Sequence, residues 1–241
     1  MKETIYTIPI NDAFANDKCE CAVCEFMRKE EANRIDYTLG ASMMEPDARI
    51  ETNKKGFCRR HMKMLFEHGN RLSLDLILET HIKEMTELLE CAEKKLTAKK
   101  TLFKNSGGKN ISDSFKYFET AAKSCTVCDK LNDITEKFIS NLFYMYKNDL
   151  AFKDKFLNCR GFCAEHFVLL VNSAKNYLSG NDCTDFFKKI CEMQIKELDR
   201  LYADVDLFAK KHDYRYKDAD WQNSRDAVER ACLKMSSYID S

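Results

Sequence analysis

The chain has little proline and glycine, with two Pro and seven Gly among 241 residues. Both residues punctuate turns and are needed often in β-rich folds, whereas Lys, Glu, Leu and Ala, which are plentiful here, favour helices. A β architecture is therefore disfavoured, and we expect an all-α protein. The 44% of apolar residues, with 11% aromatic, is enough to form a hydrophobic core.

An excess of charge of one sign and a long apolar run are also missing. Lys plus Arg equals Asp plus Glu at 39 each, so no overall field attracts nucleic acid or an anionic membrane surface. The longest apolar run, 167–171, is too short to cross a bilayer, and "MKETIYTIPINDAF" has no apolar stretch of signal-peptide length. We expect a cytoplasmic protein without a membrane span.

Cysteine, by contrast, is abundant, with twelve residues. Because cytoplasmic thiols are kept reduced, this number favours metal binding over a disulfide framework. Cysteines without a partner at ligand spacing are interpreted as small buried apolar residues, and such histidines as surface or hydrogen-bonded side chains. These isolated residues are Cys91, Cys183, Cys191, Cys232, His68, His81 and His212.

The sequence repeats itself. "CAVCE" at 21–25 is matched by "CTVCD" at 125–129, and "KGFCRRHMKML" at 55–65 by "RGFCAEHFVLL" at 160–170. The shift is 104 residues from Cys21 to Cys125 and 105 from Cys58 to Cys163, so the register barely changes. An internal duplication explains two motifs that recur in the same order.

The repeat predicts two helical halves, 1–104 and 112–241, packed as one domain about a pseudo-twofold axis. The turn-forming segment "NSGGKNISD" at 105–113 is the expected linker between them. In each half we expect a helix that opens near CxxC, a short helix carrying CxxH, and a long amphipathic helix. Outside the repeat, an extended segment is expected at 4–10.

Each half supplies three cysteines and one histidine, which is a complete tetrahedral ligand set. Residues three apart lie on one face of a helix, so the paired ligands of CxxC and of CxxH point toward one atom. The glycine of each GFC segment permits an unusual backbone angle at the entry to the helix. The candidate ligands are Cys21, Cys24, Cys58, His61, Cys125, Cys128, Cys163 and His166.

Two questions about these ligands stay open. Three thiolates and one imidazole are a standard structural zinc set, while an iron–sulfur cluster is the alternative, with Cys19 or Cys159 as extra thiols. A CxxC pair could also close a site with the CxxH of its own half or with that of the other half.

Charge separates the two copies. Lys54, Lys55, Arg59, Arg60 and Lys63 form a basic strip around the first motif, interpreted as a solvated helix face. The second copy has Ala164 and Glu165 where the first has Arg59 and Arg60. Nucleic acid is therefore a minor option as a partner.

The opening "KETIYTIPINDAF", the two CxxC and GFCxxH modules and the tail "DYRYKDADWQNSRDAVERACLKM" occur together. In this combination the chain resembles, over nearly its whole length, an uncharacterised family of clostridia and related bacteria, a domain of unknown function. The resemblance implies an anaerobic bacterial cytoplasm and supports the paired motifs as one unit, but it implies no activity. Glu165 at the position of Arg60 puts in doubt a role shared equally by both halves.

From these observations we predict a binding or regulatory module with two structural zinc sites. Zinc held by four protein ligands has no open position for Lewis-acid chemistry, so an enzyme is disfavoured and no catalytic residue is predicted. The partner would be a protein or a small molecule. The alternative is an iron–sulfur protein with a redox or sensing role.

Overall fold

The computed structural model describes residues 7–100, 115–116, 118–119, 123–216 and 218–236, and only the backbone for 95–100. Over these residues it contains helices and no strand, which confirms the predicted all-α fold. The α-helices are α1 (Thr7–Ala15), α2 (Ala22–Leu39), α3 (Pro46–Lys55), α4 (Arg59–Glu67), α5 (Arg71–Lys100), α6 (Thr126–Asn148), α7 (Leu150–Leu157), α8 (Ala164–Tyr177), α9 (Gly180–Lys211) and α10 (Ala227–Ser236). Two 3₁₀ turns occur at Ala41–Met44 and Tyr214–Tyr216.

The chain divides into two compact units, which do not coincide with the two sequence halves. Unit 1 comprises Met1–Arg28 and Ile134–Ser241, and unit 2 comprises Lys29–Asp133. The boundaries fall inside α2 and α6, the two helices that begin at the CxxC motifs. Each unit therefore contains the CxxC of one half and the CxxH of the other. The expected linker at 105–113 lies outside the described residues.

Aromatic side chains dominate the core of unit 1. Phe138, Phe143, Phe152, Phe156 and Phe162 have no exposed surface. Their rings meet at the distances typical of offset and edge contacts, for example 5.4 Å between the centroids of Phe156 and Phe162. The phenylalanine of the second GFC segment is thus a core residue that anchors the entry to α8.

Helix α1 corrects the expectation of an extended start for 7–10, which is helical, while 4–6 lies outside the described residues. Pro9 lies in the first turn, where its missing N–H would have no intrahelical acceptor and its fixed φ suits the helix. Ile10, Ala13 and Phe14 are buried at the i, i+3, i+4 spacing of one helical face. This apolar period is that of a helix.

Unit 2 has a smaller core, formed where α2, α4, α5 and the first turn of α6 meet. Its buried residues are Ile35, Leu39, Leu65, Leu74, Ile77, Cys125 and Val127. The cysteine in this list shows that the core adjoins the second CxxC motif. None of the described helices is long and apolar enough to span a membrane.

Candidate metal centres

The first residue of each motif stands at the start of a helix. Cys21, Cys58, Cys125 and Cys163 immediately precede α2, α4, α6 and α8. The carbonyl of each accepts the first helical hydrogen bond, at 2.8–3.1 Å from the amide four residues on. These cysteines are therefore N-caps, and the second ligand of each motif lies three residues later in the first helical turn.

This position explains the CxxC and CxxH spacing. N-cap and N3 side chains both turn toward the amide groups left without intrahelical acceptors. The Cys163 sulfur, for example, accepts a hydrogen bond from the His166 amide at 3.4 Å. Amide donors and the positive end of the helix dipole favour thiolates over thiols, and thiolates are the form that binds metal.

In unit 1, the four ligand atoms of Cys21, Cys24, Cys163 and His166 converge. Nδ1 of His166 is 3.6 Å from the Cys21 sulfur, 3.2 Å from that of Cys24 and 3.1 Å from that of Cys163. The sulfurs of Cys24 and Cys163 are 3.6 Å apart. All four atoms lie within 4.8 Å of one another, and we call this group the unit 1 cluster.

In unit 2, Cys58, His61, Cys125 and Cys128 form the matching unit 2 cluster. Nδ1 of His61 is 3.3 Å from each of the three sulfurs, and the sulfurs of Cys58 and Cys128 are 3.8 Å apart. These atoms also lie within 4.8 Å of one another, and His61 is almost fully buried.

Both clusters therefore use crossed pairing, CxxC from one half with CxxH from the other. The pairing within each half, which the sequence left open, does not occur. Cys21 and Cys24 share a cluster with Cys163 and His166, so the GFCRRH segment is completed by the second CxxC and not by the first.

The spacing of these atoms fits one tetrahedral ion. Zinc lies about 2.3 Å from sulfur and about 2.0 Å from nitrogen, so the edges of the tetrahedron are about 3.8 Å between sulfurs and about 3.5 Å between sulfur and nitrogen. The sulfurs of Cys24 and Cys163 are 3.6 Å apart, those of Cys58 and Cys128 are 3.8 Å apart, and the sulfur–nitrogen distances are 3.1–3.6 Å. Each cluster could hold one metal ion with little movement of its ligands.

Contacts among the ligands of the unit 2 cluster shift their pKa values. Burial would raise the pKa of the Cys125 thiol, but hydrogen bonds from His61 and from the backbone at Cys58 and Cys128 lower it to about 6. Burial disfavours the imidazolium of His61, yet hydrogen bonds to Cys125 and Glu31 raise its pKa to about 10. Burial and the negative charge of Cys125 raise the pKa of Cys128 to about 12. Protons thus partly neutralise the thiolates, the task that a bound cation performs.

The unit 1 cluster behaves in the same way. Burial would lower the pKa of His166, but hydrogen bonds to Cys163 and Cys21 raise it to about 10. Hydrogen bonds with the same two cysteines, together with burial, raise the pKa of Cys24. A metal ion entering either cluster would therefore displace protons, and its binding would weaken as the pH falls.

Glu31 is a site residue that the sequence did not reveal. Its Oε1 is 2.9 Å from Nε2 of His61, and its Oε2 accepts a hydrogen bond of 2.7 Å from Arg60. A carboxylate behind a ligating imidazole fixes the ring orientation and makes the other nitrogen a better ligand. With the repeat shift of 104, the position of Glu31 in the second copy is Thr135, so the repeat gave no signal for it.

The extra thiols Cys19 and Cys159 lie outside both groups of four ligand atoms. The Cys19 thiol donates to the carbonyl of Cys21 at 3.1 Å, and burial raises its pKa. Burial raises the pKa of Cys159 to about 12. Both side chains are therefore thiols at neutral pH.

Among the isolated residues, the expectation for the histidines His68 and His81 is correct and the expectation for the cysteines is wrong. His68 is 3.0 Å from Asp36 and His81 is 2.7 Å from the carbonyl of Asn53, so both are hydrogen-bonded as expected. Of the isolated cysteines only Cys183 is partly buried, which corrects the expectation of burial. The exposed ones are Cys91, Cys191 and Cys232. They lie on α5, α9 and α10, respectively.

Part of the positive charge of the basic strip is paired with nearby carboxylates. Lys55 pairs with Glu51 at 3.1 Å and with Asp129 at 2.7 Å, and Arg60 pairs with Glu31. These contacts support the interpretation of the strip as an ordinary helix face.

The fold and the two clusters define an all-α protein with an internal duplication and two groups of three cysteines and one histidine able to hold metal. The chain belongs to DUF6062, a family of unknown function whose family model matches residues 1–241. This membership confirms that the chain belongs to an uncharacterised family, as the sequence resemblance indicated. Comparisons with curated proteins and with solved structures found no match.

Proposed function

We propose that each cluster holds one Zn²⁺ as a structural ion, so that the protein carries two zinc sites. The convergence of four ligand atoms within 4.8 Å, in both units, is the observation that carries the proposal. Three thiolates and one imidazole complete the tetrahedral shell that zinc prefers in structural sites.

The compactness of the clusters favours a single ion over an iron–sulfur cluster. In an iron–sulfur cluster, the cysteine ligands bind different iron atoms, so their sulfurs lie farther apart than around a single ion. Here every ligand atom can reach one centre, and the extra thiols Cys19 and Cys159 lie outside the two groups. Soft thiolates with one imidazole also suit zinc better than calcium or magnesium.

The proposed role is that of a binding or regulatory module. Its proposed location is the cytoplasm of an anaerobic bacterium related to clostridia, as the sequence resemblance implies. A zinc ion with four protein ligands has no open coordination position, which argues against a catalytic metal. The partner would be a protein or a small molecule.

The metal content tests this proposal. Protein purified without oxygen should be colourless and contain two zinc ions per chain, with neither iron nor acid-labile sulfide. A brown sample with iron and sulfide would replace zinc by the iron–sulfur alternative, and a sample without any metal would refute both.

The structural role is tested on the same sample by chelation. Removal of zinc should lower the helix signal at 222 nm and the melting temperature, because the ion joins Cys24 to Cys163, 139 residues apart, in unit 1 and Cys58 to Cys128, 70 residues apart, in unit 2. Re-addition of zinc should restore both signals. An apoprotein with unchanged helicity and melting temperature would show that the ions are not structural.

A further inference from the structure

Lys234 of α10 is a lysine without any exposed surface. Its ammonium group donates to the backbone carbonyls of Glu20, at 2.6 Å, and of Arg160, and it lies 3.3 Å from the Glu20 carboxylate. These three acceptors match the three protons of an ammonium group. Burial of a charge is tolerated only when its partners are in place, so α10 docks here with a defined geometry.

The two carbonyls belong to the segments that carry the ligands of the unit 1 cluster. Glu20 directly precedes Cys21, and Arg160 directly precedes the Gly161–Cys163 turn. Lys234 therefore joins two backbone segments, 140 residues apart in sequence, at the point where each leads into its ligand-bearing helix. A Cβ at Gly161 would be 3.5 Å from the ammonium nitrogen, which shows how closely the turn packs against it.

Charged side chains hold this arrangement in place. Glu20, which is 3% exposed, accepts two hydrogen bonds from Arg200 of α9, at 2.7 and 2.9 Å. Arg230 of α10 is 2.9 Å from Asp204 of α9 and 3.6 Å from Glu20. The helix that supplies Lys234 is thus fixed to α9 and to the residue before Cys21 by the same ion-pair network.

In unit 2 the two corresponding segments are hydrogen-bonded directly to each other. The Ser124 hydroxyl donates to the carbonyl of Lys55 at 2.9 Å, and the Thr126 amide donates to the carbonyl of Gly56 at 3.1 Å. The repeat shifts of 104 and 105 place Ser124 on Glu20 and Lys55 on Arg160. A glutamate side chain at the position of the serine has no hydroxyl to donate to that carbonyl when it is ionised, and Lys234 supplies the donor instead.

From this difference between equivalent positions we infer that docking of α10 and metal binding at the unit 1 cluster are thermodynamically coupled through Lys234, whereas the unit 2 cluster binds metal independently of α10. The inference rests on the proposed function, because it specifies how one of the two proposed metal sites is regulated. Coupling of this kind is reciprocal: α10 strengthens metal binding, and the metal strengthens docking of α10. Lys234 is a positioning residue, since it acts on the ligand segments and not on the ion.

The test follows both clusters in one chain. Zinc-loaded protein is mixed with a chelator and a thiol-alkylating reagent, and mass spectrometry follows the labelling of Cys24 for unit 1 and of Cys128 for unit 2. With Lys234→Met, we expect Cys24 to be labelled about 10- to 100-fold faster, the loss typical of a residue that supports metal ligands, and Cys128 at the unchanged rate.

A matched control is Lys196→Met, the same chemical change at an exposed lysine of α9. It should leave the labelling of both cysteines unchanged. Equal acceleration of Cys24 and Cys128 by Lys234→Met, or no acceleration of either, would overturn the inference.

A reciprocal measurement avoids the change at Lys234, which could unfold unit 1. Amide hydrogen exchange of residues 227–236 is compared in zinc-loaded Cys24→Ser and Cys128→Ser proteins. Exchange should be faster than in the natural sequence only with Cys24→Ser, which removes a ligand of the unit 1 cluster. Equal exchange in the two variants would contradict the coupling.

The outcomes separate this inference from the proposed function. Natural-sequence protein that contains no metal refutes the proposed function, and with it the coupling. Protein with two zinc ions whose unit 1 release is insensitive to Lys234 refutes the coupling alone.

Discussion

His61 is held from both sides of its ring. Nδ1 faces the three sulfurs of the unit 2 cluster, and Nε2 faces the carboxylate of Glu31 at 2.9 Å. Arg60 binds the other oxygen of the same carboxylate, which keeps Glu31 ionised and fixed. Burial alone would raise the pKa of the Glu31 carboxyl. The hydrogen bond with His61 and the positive charge of Arg60 outweigh this effect and lower the pKa below its usual value. The orientation of one ligand thus depends on a residue that is not a ligand.

Glu31→Gln should weaken metal binding at the unit 2 cluster by about tenfold, because the neutral amide orients and polarises the imidazole less well. Binding at the unit 1 cluster should not change. Chelator competition with labelling of Cys128 and Cys24 measures the two sites separately. Glu30→Gln, the neighbouring change on α2, is the control, and an effect of equal size there would remove the special role of Glu31.

At the scale of elements, helix ends deliver the ligands. Gly56 ends α3 with φ 64° and ψ −150°, a conformation open essentially to glycine alone, and two residues later Cys58 caps α4. A Cβ at Gly56 would be 3.0 Å from the ring of His81, so the turn is also closely packed. The equivalent Gly161 has φ 78°, which confirms the unusual backbone angle expected for both GFC segments.

Gly56→Ala should lower the free energy of unfolding by about 1–3 kcal/mol and weaken metal binding at the unit 2 cluster, because the strained turn and the contact with His81 displace Cys58. Gly69→Ala is the matched control, since Gly69 also has positive φ but a Cβ there meets nothing within 4 Å. Urea denaturation followed at 222 nm measures the free energy of unfolding of both variants. Equal losses for the two variants would show that packing against His81 contributes nothing.

At the scale of the whole molecule, the crossed pairing makes each unit depend on both sequence halves. Residues 1–28 supply the CxxC of unit 1 and residues 123–133 that of unit 2, while the CxxH motifs come from the opposite halves. Neither half of the repeat contains a complete ligand cluster. We therefore expect that a chain cut between the halves cannot hold metal in either half alone.

The crossed pairing predicts which cysteines lose protection when one motif is removed. In zinc-loaded Cys21→Ser/Cys24→Ser protein, Cys163 should be alkylated rapidly, whereas Cys58 should stay protected. Mass spectrometry of the labelled peptides gives the answer. Labelling of Cys58 with protection of Cys163 would instead establish pairing within each half. Cys125→Ser/Cys128→Ser is the reciprocal control, in which Cys58 should be labelled.

The predictions from sequence held where a local rule decides the structure. The i, i+3 spacing of Cys58 and His61 follows from the N-cap and N3 positions of one helix, and no distant contact is needed to recognise it. The prediction for the start of the chain was wrong, because the helical spacing of Ile10, Ala13 and Phe14 was not taken into account. Glu31 and Lys234 carried no signal, since a Glu in a helix and a Lys near the C-terminal end are usually solvated.

The sequence alone determined the all-α class, the duplication and the eight residues that converge. Composition, repeat register and ligand spacing can be read from the chain without knowing which distant segments meet. Only the tertiary structure decided how those residues are divided. α2 and α6 each begin in one unit and continue into the other, so the clusters form from opposite halves. It also decided what surrounds the ligands, a carboxylate at His61 and a buried ammonium beside Cys21, because such contacts depend on which distant segments meet in the folded chain.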